Sequence, residues 1–290
     1  MTSATKEEMN VMNQLQATRP ARGGPAAFSA TATIDTPGHA VGTSPQVYAK
    51  VAGVIWLIVA LLAPFGEFFV RQGLIVPGNV AATAEKIVAS QSLFRAGFAT
   101  DLVVFVIEVA LAAVLYVLFR PVSRTLALVM AFARLAMVTI LGLNLLNMFT
   151  ALQLLTSPEY ATAFERGQLQ ALAFVFLNAQ HYGYALGMVF FGLHLGVLGF
   201  LVYRSGFLPR ILGILMVVSA LGYLADSFTK FLLPQSADTL AVVVVVTALI
   251  GELPLTLWLL VKGVDVERWR QRALASPTRE IDGRALSSVR

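Results

Sequence analysis

The stretch HYGYALGMVFFGLHLGVLGFLVYRSGFLPRILGILMVVSALGYLADSF, residues 181–228, decides how the chain is read. Two long apolar runs flank the short segment YRSGFLPR, in which Gly206 and Pro209 turn the chain. Each run is close to the ~20 residues needed to cross a bilayer core as a helix. Arg204 and Arg210 bracket the turn, the pattern that holds a short loop on the cytoplasmic side. Two membrane helices joined by a cytoplasmic hairpin is therefore the expectation.

Composition extends that reading to the whole chain. Of the 290 residues, 57% are hydrophobic and 13% charged, against roughly 25% charged in an ordinary soluble domain. A surface that apolar needs lipid as its solvent. Six spans are expected, at about 49–70, 98–118, 125–151, 183–203, 211–232 and 240–262. The third is long enough to tilt or protrude. Residues 169–180 are too short to span alone and read as an outer extension of the fourth helix, bent near His181. The expected fold is an all-α polytopic bundle, residues 47–263, preceded by a disordered cytoplasmic tail, 1–46, and followed by a basic juxtamembrane tail, 264–290.

Orientation follows from the basic residues. With the N-terminus inside, fifteen of the 21 Lys and Arg lie in inner segments and five in outer loops, with Arg134 inside a span. Both termini are accordingly expected in the cytoplasm. The net charge of +5 is then topology and lipid attraction rather than a nucleic-acid footprint. In VKGVDVERWRQR, Lys262, Arg268, Arg270 and Arg272 are placed to meet anionic headgroups, with Trp269 at the interface.

The first outer loop, RQGLIVPGNVAATAEKIVASQSLFRAG, contains a helix that Asn79 can cap and that runs as far as Phe94. Ile87, Val88 and Leu93–Phe94 make it amphipathic, either a surface connector or a lid over an outward cavity. An echo joins the ends of the first and fifth spans: Glu67 with Arg71 and Asp226 with Lys230, each acid four residues before its base.

The segments LIVPGNVAATAEKIVASQSLFRAGFATDL, LYVLFRPVSRTLALV, FARLAMVTILGLNLLN and FFGLHLGVLGFLVYRSGFLPRILGILMVVSALGYLADSF resemble the bacterial family catalogued as domain of unknown function 4386. The resemblance covers roughly 47–262. It implies a multi-span protein of the bacterial inner membrane and brings no reaction, ligand or catalytic residue.

Depth counting singles out four ionisable groups. Glu108, Arg134, His194 and Glu252 lie on four different spans within about 5 Å of one depth, at ~1.5 Å per residue. Facing lipid, each would cost about 2.5–3.5 kcal/mol, so they should face the bundle interior. Asp101 precedes Glu108 by two turns and shares its face to within about 20°. Asn144 and Asn147 add a polar stripe to the third span. Two readings stand: interhelical glue, with Glu108 or Glu252 pairing Arg134, or the lining of a pocket or pathway. Pro254, which frees the carbonyl of Ile250 beside Glu252, resembles the broken helices of transporters.

The fourth span carries Gly183/Gly187 and Gly192/Gly196 at the spacing that lets helices approach closely, within the monomer or at a dimer seam. No cysteine is present, and His181 and His194 lie about 140° apart around a helix with no histidine on any other span. No cofactor or metal site is expected, and no hydrolase, protease, nucleotide or dinucleotide motif occurs. The leading expectation is a non-catalytic membrane module such as a sensor, assembly or envelope component. A small transporter or ion-coupled permease built on the midplane cluster is the alternative, and an intramembrane enzyme comes third.

Overall fold

A computed structural model describes residues 43–275, with 236–241 described by their backbone only. Helix α1 spans Pro45–Pro64, α2 Val80–Ala89, α3 Gln91–Phe119, α4 Arg124–Thr156 and α5 Pro158–Ala163. Then come α6 at Arg166–Ser205, α7 at Arg210–Leu232, α8 at Ala237–Val261 and α9 at Val266–Ala275. Six of these are long and apolar enough to cross a membrane: α1, α3, α4, α6, α7 and α8. There is no strand among the described residues.

The ends of these helices are written in local chemistry. Ser123 Oγ accepts from the backbone N–H of Leu126, and Glu165 and Gln168 close a reciprocal capping box at the start of α6. Gly206, at φ +75°, ends α6 in the left-handed conformation that only glycine adopts cheaply. Asn79 caps α2 through Ala82 N–H at 3.0 Å. That helix stops at Ala89 instead of continuing to Phe94, because Ser90 leaves helical geometry and Gln91 begins α3. Residues 169–180 belong to α6, which runs without interruption through His181.

Helix α1 has a feature that periodicity does not reveal. Pro64 has no N–H to return to the preceding turn, and the chain widens into a π-helix over Phe65–Arg71 before a final turn at Gln72–Leu74. Gly66 lies in this widened turn. A Cβ there would come within 2.6 Å of Asp101 Oδ1, so glycine is what lets α3 bring its carboxylate in.

The six spans pack in chain order as a closed ring, α1 on α3, then α4, α6, α7 and α8, with α8 returning to α1. Contacts between α4 and α6 and between α6 and α7 are the most extensive, and the α8–α1 seam is the thinnest. Glycine explains the close contacts of α6. Side chains added at Gly183 or Gly187 would collide with Asn144 or Leu141 of α4. At Gly192 and Gly199 they would meet Leu224 and the Gly213 carbonyl of α7. Gly183, Gly187 and Gly192 are thus used inside the monomer, whereas a Cβ on Gly196 would meet Ala220 at an ordinary 3.6 Å.

The chain enters α1 and leaves α8 at the same end of the ring, called here the basic end. Gln46 donates to the Lys262 carbonyl at 3.0 Å and accepts from Val264 N–H at 2.9 Å, which closes the seam there. Helix α9 crosses this end. Trp269 Nε1 donates to the Leu118 carbonyl, Arg268 to that of Gly206 and Arg272 to that of Arg204. Two of the four arginine and lysine side chains expected at lipid headgroups therefore also tie the C-terminal helix to the helix turns.

One apolar cluster fills the ring near the basic end, with Leu111, Leu115, Leu195, Leu198, Met216 and Leu259 among its members. A second, around Ile87, Phe94, Met148 and Leu152, lies at the far end beneath α2. Ile87 and Phe94 are buried in it while Val88 stays exposed, so α2 sits over the bundle.

Candidate functional site

The midplane cluster is built around Arg134 of α4, which is completely buried. Its Nε is ion-paired with Glu108 of α3, and its Nη1 donates to His194 Nε2 on α6 at 2.6 Å. His194 Nδ1 donates to the Met130 carbonyl at 2.8 Å. A guanidinium only donates and a carbonyl only accepts, so the imidazole carries its proton on Nδ1. The rings of Trp56 and Phe191 flank the guanidinium, with centroids 5.1 and 5.7 Å from Arg134 Cζ. Arg134 Nη2 has no hydrogen-bond partner. Three of the four ionisable groups thus form one interhelical knot.

Glu252, the fourth, is bound differently. Its Oε2 accepts from Trp56 Nε1 at 3.2 Å and its Oε1 from the Tyr223 hydroxyl at 2.9 Å. Both donors are neutral, and no ion pair to Arg134 forms. One turn further along α8, Thr256 Oγ1 is buried with no hydrogen-bond partner.

These groups surround a cavity of about 380 Å³ to which all six spans contribute. Its polar lining comes from Glu108, Glu252, Thr256, Tyr223, Tyr184 and Asn144, together with Gln180, Asp101 and Arg71; its apolar walls include Trp56, Phe105, Met188 and Phe191. Among the candidate residues, Glu108, Glu252, Asp101 and Asn144 line the space. Arg134 and His194 stand behind it, and Asn147 and Asp226 lie elsewhere. Asn147 donates to Asn144, which in turn donates to the Gln180 carbonyl at 2.7 Å. Asp226 is paired with Lys230 at 2.8 Å on α7.

Toward the far end, Arg71 binds Glu67 at 2.7 Å and Asp101 at 2.6 Å and lies over the Tyr184 ring. The π-turn positions it: the widened helix carries Glu67 and Arg71 against Asp101 across the vacancy left by Gly66. The spacing of Glu67 and Arg71 was readable as an i,i+4 pair, but the third member on α3 was not.

Depth counting of charges also passed over Trp56, Tyr184, Tyr223 and Thr256, because none is ionised. A signal did exist. Trp is enriched at membrane interfaces, and Trp56 lies deep within an apolar span, where its N–H requires a partner.

Six apolar helices closing on a polar interior define a polytopic α-helical membrane protein with an internal cavity. A model of the family described as domain of unknown function (DUF4386) matches residues 51–263, and the chain belongs to that family. It is also similar to a protein of Archaeoglobus fulgidus described as uncharacterized, at 30% identity over 160 residues, which is 55% of this chain and 79% of the relative. Similarity to this chain therefore extends to an archaeon. No solved structure matches it.

Proposed function

We propose that this is a non-catalytic membrane protein that holds a small molecule at the centre of its helical ring, as a receptor or sensor module. The observation carrying the reading is Glu252: a carboxylate bordering a 380 Å³ space, satisfied by Trp56 and Tyr223 while Arg134 is engaged by Glu108 and His194. Space of that size, mostly apolar with a few converging polar groups, has the character of a ligand site. Were the polar residues only interhelical glue, Glu252 would be expected on the nearest cation with no void beside it. Mass spectrometry of small molecules extracted from the protein in lipid nanodiscs tests this. The wild type should retain a species that Glu252→Gln loses. Empty protein in both cases refutes binding, and equal retention refutes the role of Glu252.

A permease is the second reading, favoured by the Glu67–Arg71–Asp101 cluster closing the far side of the cavity like a gate. It requires pH-dependent flux in proteoliposomes that Glu252→Gln abolishes.

Both readings place the protein in a bacterial inner membrane with both termini cytoplasmic. The support is Arg120, Arg124, Arg204, Arg210 and Lys262 gathered at the end where α9 lies. Anionic headgroups would meet the same end. Ser123→Cys in this cysteine-free chain should resist a membrane-impermeant maleimide applied from the periplasm.

A further inference from the structure

We infer that the cavity takes a hydrophobic amine, a molecule with an apolar body and one protonated nitrogen, and that it enters sideways from the bilayer between α1 and α8. The inference rests on the binding role proposed above and gives it a ligand class and a route.

The charge balance around the space sets the class. Asp101, Glu108 and Glu252 line it, against Arg71 as the one lining cation among the described residues. Arg71 is shared by Asp101 and Glu67, and Glu108 is matched by Arg134 behind the wall. Glu252 alone has only neutral donors. Each carboxylate oxygen has a second acceptor site, and Thr256 Oγ1, buried and unpartnered, lines the same space one turn away. An ammonium group brings up to three N–H donors to such acceptors, whereas a carboxylate or phosphate head would set like charge against Glu252. The Arg134 charge is paired with Glu108, and the rings of Trp56 and Phe191 stand against its guanidinium, which is not part of the cavity lining. The remaining walls, including Phe105, Met137, Leu141 and Met188, suit an apolar body.

The seam sets the route. Near the basic end α1 and α8 are in backbone contact, a Cβ on Gly53 falling 2.8 Å from Leu260 N. Among the described residues, the Trp56–Glu252 bond is the one furthest from that end of those closing this seam. Beyond it, Leu61 and Leu249 both line the cavity and are 69% and 57% exposed. Leu253, also in the lining, is exposed as well. The rim of the cavity therefore reaches the lipid-facing surface. Toward the basic end the ring is filled by the first apolar cluster; toward the far end stand the Arg71 ion pairs and the second cluster.

The test uses dansylcadaverine, a fluorescent primary amine, with the full chain in phosphatidylcholine nanodiscs, reading energy transfer from tryptophan to dansyl. Saturable binding is expected, weakened about 10-fold or more by Glu252→Gln and less by Thr256→Val, which keeps the shape of the side chain. The N-acetylated probe should bind at least about 10-fold more weakly than the amine. Equal binding of the two probes overturns the amine class and leaves the cavity as a binding site. No saturable binding of either probe overturns the inference, while the extraction experiment decides the binding role independently. For the route, benzyl methanethiosulfonate on Leu249→Cys should slow dansylcadaverine entry about threefold or more, reversibly with reductant, and the same label on Leu186→Cys of α6 should not. Equal slowing at both positions, or at neither, overturns lateral entry.

Discussion

Replacing Glu108 by Gln is the sharpest test of the buried knot. The substitution keeps the shape and removes the charge, leaving the Arg134 guanidinium inside the ring with only neutral partners: the new amide, an imidazole and two aromatic faces. Breaking a buried pair by removing one partner costs about 3–5 kcal/mol, since an uncompensated charge remains. For a helical domain of this size, where each kcal/mol moves Tm by about 2–4 °C, the loss is about 6–20 °C. Arg134→Met should cost a similar amount for the mirror-image reason, with Glu108 then unpaired. The double variant, Glu108→Gln with Arg134→Met, removes both charges and should melt above either single variant, with a coupling of about 2–4 kcal/mol. The assay is thermal unfolding of the four forms in nanodiscs, followed by tryptophan fluorescence. Additive effects, or single substitutions that each cost under about 1 kcal/mol, would refute the claim that this pair is desolvated and mutually compensating.

The close approach of α6 to α7 makes Gly199→Val destabilising by about 1–3 kcal/mol, because its Cβ would press on the Gly213 carbonyl at 2.7 Å. Gly196→Ala, whose Cβ meets Ala220 at an ordinary 3.6 Å, should melt within about 0.5 kcal/mol of wild type by the same measurement. Pro64→Ala restores an N–H and with it a regular α-helix, turning Arg71 by about 100° away from Asp101. Asp101→Asn should then lower Tm in the wild type but have little further effect in the Pro64→Ala background; equal effects in both would exclude the π-turn as the device that aims Arg71. Trp269→Phe removes the hydrogen bond to the Leu118 carbonyl and should weaken docking of α9 by about 1 kcal/mol, seen as faster proteolysis around 264–275 with the ring's Tm nearly unchanged.

The depth of Glu108, Arg134 and His194 was legible from residue counting because a helix converts position into height at a constant rise. Their partners were not. Glu108 and Glu252 stood at the same height with equal claims on Arg134, and only the ring order, with α3 beside α4 and α8 beside α1 and α7, gives the arginine to Glu108. Asp101 shared the face of Glu108 in the sequence, yet its partner came from α1 through the π-turn that follows Pro64, with Gly66 leaving room for the carboxylate. The glycines of α6 signalled close approach without saying to what, and the structure spends them on α4 and α7.

What the amino-acid order determined by itself was the solvent and the scaffold. Runs of apolar residues long enough to cross a bilayer satisfy their backbone groups locally as helices, and polar or ionised side chains within them must turn inward. Which inward-facing group meets which is a relation between helices distant in the chain. Closure of six rods into a ring decided it, leaving Glu252 with Trp56 and Tyr223 at the edge of a cavity that no single helix contains.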